Sequence, residues 1–314
     1  MLVAGAEQRG GAAPDSPDGP RTGALAGTVF DVPAKSRRGV LTPGILLLVI
    51  ALAVAGYLVL RQGKPLLTGS GCQAGRGAAA VTLDPEQAAI AATIAGVAHQ
   101  RAMPSHAVMV AYAAALQESK LHNLSYGDRD SVGVFQQRPS EGWGPARKLK
   151  DPVYASTRFF KALATVPDYL HKPVYRAAQA VQRSADGYAY IQYQPEAAAL
   201  AADFTGHSAR AVWCWSAAPT PANANLTAAR QGLAHAFGPI SSHRAATPGD
   251  DPVMLVPTPR PTLGWAVAAW LVTHASSYGI HDVRYAGFQW RAASGSSGWT
   301  ADQGQTRPDV VRAS

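Results

Sequence analysis

Leu116–Gly144 reads LQESKLHNLSYGDRDSVGVFQQRPSEGWG. The stretch places one glutamate, Glu118, at the end of an alanine-rich helical pattern. A polar loop built from Asn, Gly, Asp and Ser follows over residues 122–131. Next comes a short apolar segment, 131–137, that carries two amides, Gln136 and Gln137, and then Trp143 in a turn. One carboxyl beside apolar residues, amides that both donate and accept, and an aromatic face are the groups that acid chemistry on a sugar requires. Periodicity does not decide whether 131–137 is a strand or a helix start.

Outward from this block the pattern is helical. Asp84-Pro85-Glu86-Gln87 is a strong helix start, with a capping Asp, Pro at the first helical position and Gln87 where a capping-box partner sits. Ile90, Ile94, Val97 and Ala98 give that helix an apolar face. A second helix is expected over about 106–119, with Val108, Tyr112, Ala115 and Leu116 on one stripe. Asp151-Pro152 opens a third, through about Leu163. Further helices are expected over 174–184 and 195–204, the last stopped by Gly206.

The 314 residues are uneven in composition. Residues 1–40 are rich in Gly, Ala, Pro and Arg and read as a disordered, cytoplasmic tail. Leu41–Leu60 is apolar and uncharged, about the length of a bilayer core, and Lys35, Arg37 and Arg38 before it favour an inside N-terminus. An uncleaved anchor over 41–61 is therefore expected; the alternative is a cleavable signal, since Ala53-Val54-Ala55 resembles a processing site. A linker follows at 62–80. The two cysteines, Cys72 and Cys214, bracket the central region, and an even count in an exported chain implies one disulfide. The net charge of +8 favours anionic surfaces but forms no basic stripe, so no nucleic acid partner is expected. Scattered His99, His106, His122 and His171 lack metal-ligand spacing, and no phosphate-loop or dinucleotide motif is present, so neither metal nor cofactor is expected.

Glu118-Ser119, then Ser131-Val132-Gly133-Val134-Phe135-Gln136, then Pro139, resembles the E-S … S-x-G-x-x-Q-x-x-P signature of soluble-lytic-transglycosylase-like domains, whose fold is that of lysozymes. The fuller block with the later AAQAVQRSA is similar to membrane-anchored lysozyme-like proteins of high-GC Gram-positive bacteria. The resemblance covers about 72–214. It implies that Glu118 protonates the glycosidic oxygen between N-acetylmuramic acid and N-acetylglucosamine. The same residue, as carboxylate, then takes the proton of the sugar's own C6 hydroxyl. Ser119 matches a serine that orients the glutamate or holds the transition state, and Gln136 a glutamine lining the cleft.

Two positions depart from the family pattern. Leu121 stands where an aromatic is usual, and Ala178-Gln179-Ala180-Val181-Gln182-Arg183 occupies the helix that elsewhere carries a Tyr-Asn pair. Gln182 is the candidate replacement for that amide. A second carboxylate would imply hydrolysis instead; Asp128, Asp130 and Glu141 are the candidates, although capping of their own turns is the expected role for the two aspartates. Trp143 is placed either on a sugar face or in the core. Of Tyr188, Tyr190 and Tyr193, core packing is the default; the alternative is that one reaches the cleft, as a tyrosine late in the resembled domains often does.

The expected fold class is mainly α, a lysozyme-like domain (81–215) after a single transmembrane helix. A Pro/Ala-rich linker (216–261), a small Trp-rich α/β module (262–300) and a disordered tail (301–314) follow. At about 45 residues the module is marginal as an independent fold, so it is expected to dock on the central domain or on a ligand. Within that linker Leu226 to Phe237 reads as a helix; in the module, Leu263 to Tyr278 reads as a helix and Val283 to Trp290 as a strand. The expected activity is cleavage of peptidoglycan glycan strands on the wall-facing side of the cell membrane. Glu118 is the catalytic residue, and Ser119, Gln136, Gln137, Trp143 and Gln182 bind substrate. The alternatives are a hydrolytic muramidase and a non-catalytic wall-binding scaffold.

Overall fold

The computed structural model describes residues 69–77, 80–184, 186, 188–218, 223–245, 252–304 and 307–314. The expected tail, 1–40, and membrane span, 41–61, lie outside the described residues. In chain order, α1 (Pro85–Gln100) and α2 (Ser105–Ser119) form the centre. The start of α1 follows from its sequence. The Asp84 carboxylate accepts from Gln87 N at 2.9 Å, and Gln87 Oε1 accepts from Asp84 N at 2.9 Å.

Both central helices are buried around most of their circumference rather than along one stripe. Their alanines explain this, because small side chains let several neighbours approach one helix, and a helix apolar all round is a core helix. Against them pack α4 (Pro152–Leu163), α5 (Val174–Gln182) and α6 (Gln194–Phe204), with the short α3 (Ala146–Leu149) beside α4. The buried Tyr112 hydroxyl donates to Ala91 O at 2.7 Å and ties α2 to α1.

The first sheet has three strands. β1 (Gly71–Ala74) lies between β2 (Val81–Leu83) and β3 (Val212–Trp215), antiparallel to both. Cys72 and Cys214 are direct cross-strand partners in this register, and they are disulfide-bonded. The bond joins the beginning and end of the helical domain.

The region after β3 differs from expectation. The stretch 216–261 contains α7 (Leu226–Phe237), the helix read there, but also β4 (His243–Ala245) and β5 (Val253–Pro257). Then come α8 (Pro261–Thr273), α9 (Ala275–Tyr278), β6 (Asp282–Tyr285), β7 (Phe288–Arg291), β8 (Thr300–Ala301) and β9 (Val310–Ala313). Strands β4 to β9 build one antiparallel sheet in the order β4-β5-β9-β6-β7-β8. The expected disordered tail, 301–314, thus supplies an inner strand of the sheet.

α8 is buried along its length because it is held on two sides, by α1 and by β6 and β9. Gly264 permits the second contact, since a Cβ there would lie 2.0 Å from the Tyr285 ring. Trp265, Trp270 and Trp290 are buried, and Trp299 packs against Trp265. Trp290 Nε1 donates to Cys214 O at 3.0 Å and Trp299 Nε1 to Val212 O at 2.7 Å. The C-terminal elements are therefore seated on β3.

The fold class is accordingly corrected. Among the described residues, helix accounts for 47% and strand for 15%, with two antiparallel sheets, so the chain is not mainly α. No helix among these residues is long and apolar enough to cross a membrane. The single strand expected over Val283 to Trp290 is the antiparallel pair β6-β7; the others escaped sequence reading because each has two to five residues, too few for a period of two to register. Their partners are also distant in sequence, β9 pairing with β5 and β6.

Candidate active site

Glu118 occupies the last turn of α2, where four carbonyls lack helical partners. Lys120 and Leu121 follow at φ 55° and 61°, two non-glycine residues in the left-handed region. Such conformations cost roughly 1–3 kcal/mol each and persist only where tertiary structure enforces them. Enforcement is visible on both sides. Leu121 is fully buried, and its N–H donates to Ala115 O at 3.2 Å. Gln87 Nε2 donates to Lys120 O at 2.8 Å, so the residue that caps α1 also grips the end of α2. Glu86 adds a third tie, accepting from Asn123 N at 3.1 Å and lying 2.9 Å from His122 Nδ1, which holds the Glu86 carboxyl below its usual range.

Glu118 is half-buried, and the Tyr190 hydroxyl donates to its Oε1 at 2.8 Å. Tyr190 is 1% exposed. Burial first, then the Glu118 charge and the shared hydrogen bond, push its phenol well above the ordinary range, with Ser184 opposing in part. Tyr190 therefore remains a donor at any physiological pH. Asp186 also acts on this hydroxyl. Core packing is the default sequence reading for Tyr190, with a place at the cleft as the alternative for one of Tyr188, Tyr190 and Tyr193; Asp186 is not singled out by the sequence.

The segment 131–137 is neither strand nor helix. It is a turn closed by reciprocal backbone hydrogen bonds of 3.1 Å between Val132 and Gln137. Ser119 braces it: its hydroxyl lies 2.7 Å from Val134 O and 3.1 Å from Ala115 O. At 5% exposure Ser119 positions the loop against α2 and does not present a hydroxyl to a ligand, which corrects its expected substrate contact.

Gln137 is likewise corrected. It is 2% exposed, its amide nitrogen donates to Ala155 O at 3.3 Å, and its amide oxygen is buried without a partner among the described residues. Gln136 is half-buried at φ 47°. Its Nε2 donates to Gly133 O at 3.1 Å and Tyr126 O at 3.3 Å, while Oε1 lies against Gly127, where a Cβ would come within 1.8 Å. Gln182, half-buried at the end of α5, donates to Phe135 O at 2.8 Å. The structure thus brings Ser119, Gln136 and Gln182 together around one turn, while Glu118, the neighbour of Ser119 in sequence, is held by Tyr190.

The other candidates separate. Trp143 is half-buried and lines a cavity of about 320 Å³ with Arg158, Lys161 and Arg183. Asp130 accepts from Ser140 N at 2.8 Å, from Ser140 Oγ at 2.9 Å and from Arg138 Nε at 3.0 Å. The Ser140 backbone bond is the largest cause holding its carboxyl down to about 2. Glu141 pairs with the same Arg138, and Asp128 is exposed beside Arg129. Asp130 and Glu141 are thereby committed to a turn. Among the described residues no group of three or more His, Cys, Asp or Glu side chains is placed to hold a metal ion.

No family model matches the chain. No curated protein matches it either.

Proposed function

We propose that this protein cleaves the glycan strands of peptidoglycan, with Glu118 as the single acid/base. The observation that carries the reading is the half-buried Glu118 carboxyl held at 2.8 Å by a buried tyrosine, on a helix end braced by Ser119 and Gln87. A carboxyl so placed delivers a proton to a glycosidic oxygen. As carboxylate it then removes the proton of the sugar's C6 hydroxyl, whose oxygen closes an anhydro ring onto C1 as the C1–oxygen bond to the leaving sugar breaks. No water is consumed and no cofactor enters.

A turn at 131–137 rimmed by Gln136 and Gln182 supports binding of N-acetyl groups, which both accept and donate. The Cys72–Cys214 disulfide supports work in an oxidising compartment, on the wall-facing side of the membrane.

The test is release of soluble fragments from purified sacculi by the full chain beside its Glu118→Gln variant. Release by the parent alone is expected. Sacculus binding without release by either protein would replace catalysis with a scaffold role.

A further inference from the structure

We propose that a cationic trough beside the Glu118 site binds the carboxylate-bearing peptide branches of the same glycan strand, an inference that rests on the glycan-cleaving reading. An open cavity of about 430 Å³ is lined by Lys172, Arg176 and Arg183 together with Gln179, Ala180 and Ser184, and by no acidic residue. Through Ala180 and Arg183 it continues into the 320 Å³ cavity that holds Arg158, Lys161 and Trp143. Five cations therefore share one channel along α4 and α5. The single carboxylate in the lining, Glu141, is taken by Arg138. Asp168 is paired with His171, and the Lys172 charge also acts on it. Among the described residues Lys161 and Arg183 have no ion-pair partner.

Five cations gathered against fewer counter-charges repel one another, and a fold that keeps them has a use for the field they create. The trough also has a position. Ser184, in its lining, acts on the Tyr190 hydroxyl, and Tyr190 donates to Glu118. Gln182, next to Arg183, is bonded to the turn that carries Gln136. An anion seated there rides on the strand being cut, because the channel starts one side chain away from the acid. Peptide branches with free carboxylates meet that requirement, and arginines bind carboxylates in bidentate fashion. A separate phosphate-bearing polymer has no reason to enter beside the acid.

The experiment measures binding of the full chain carrying Glu118→Gln, with and without Lys172→Gln, Arg176→Gln and Arg183→Gln, to intact glycan strands and to strands stripped of peptide by an amidase. About a tenfold or greater loss on intact strands is expected from the triple variant, equal affinity of both proteins for stripped strands, and only partial recovery on intact strands when Arg176 and Arg183 are replaced by Lys, which keeps the charge and loses the fork. Equal binding of intact strands would overturn the proposal, as would an undiminished gap on stripped strands. So would a loss confined to a poly(glycerol phosphate) control. Failure of the glycan-cleaving reading shows separately, as absent cleavage by the protein with Glu118 intact.

Discussion

Tyr190 donates its hydroxyl to Glu118 Oε1 across 2.8 Å although 72 residues separate the two in sequence. The phenol is buried and the carboxyl is half-buried, so the tyrosine has a fixed place and the glutamate inherits it. Tyr190→Phe keeps the ring packing and removes only the donor. A hydrogen bond to a charged group contributes about 1.5–3 kcal/mol, so glycan-strand turnover should fall roughly 10- to 100-fold with little change in melting temperature. Unchanged turnover would remove Tyr190 from the site.

Ser119 invites a different expectation. Its hydroxyl meets Val134 O inside the protein, so Ser119→Ala leaves a buried carbonyl without its donor. The expected cost is about 1–3 kcal/mol in denaturant unfolding, accompanied by loosening of the 131–137 turn. Substrate affinity falling while stability stays at the parent value would return Ser119 to a ligand-contacting role.

The disulfide closes a span of 142 residues. On the chain-entropy account its removal should cost roughly 3–5 kcal/mol. Because Cys72 is 1% exposed, reductant should act slowly on the folded protein and quickly once denaturant opens it. Unfolding followed by tryptophan fluorescence with and without reductant measures both effects, since Trp290 is bonded to Cys214 O.

His274 predicts a pH dependence. Its ring stacks on Trp270 with centroids 4.1 Å apart, and Nδ1 lies 2.8 Å from Trp270 O. Burial holds its pKa down to about 4, partly opposed by that carbonyl. An unfolded histidine titrates near pH 6.5, at roughly the model-peptide value. Between those values the unfolded chain takes up a proton that the folded one refuses, so stability is full above about pH 6.5 and falls as pH drops toward 4. His274→Asn should flatten that part of the melting-temperature profile relative to the parent; parallel profiles would contradict the assignment.

Sequence reading reached the helices through local chemistry. Asp84, Pro85 and Gln87 announce α1, and Glu118 emerges at the end of α2 where the helical pattern stops. It did not reach the second duty of Gln87, because the grip on Lys120 O depends on how two helices meet. Gln136 and Gln137 look equivalent in a string, yet the Val132–Gln137 pairing buries one and leaves the other half-exposed. Trp290 and Trp299 are expected in a small module that docks on the central domain or on a ligand; their N–H groups bond to β3 carbonyls, and the sequence does not show that the linker and tail also supply strands to that sheet. Short strands with remote partners, β9 above all, carry too little local pattern to be read.

The most direct test of Glu118 as a lone acid/base is mass spectrometry of muropeptides released from sacculi by the full chain and by Glu118→Gln. The account predicts anhydro-ended products from the parent and none from the variant. Reducing-end products, or release that survives Glu118→Gln, would contradict it.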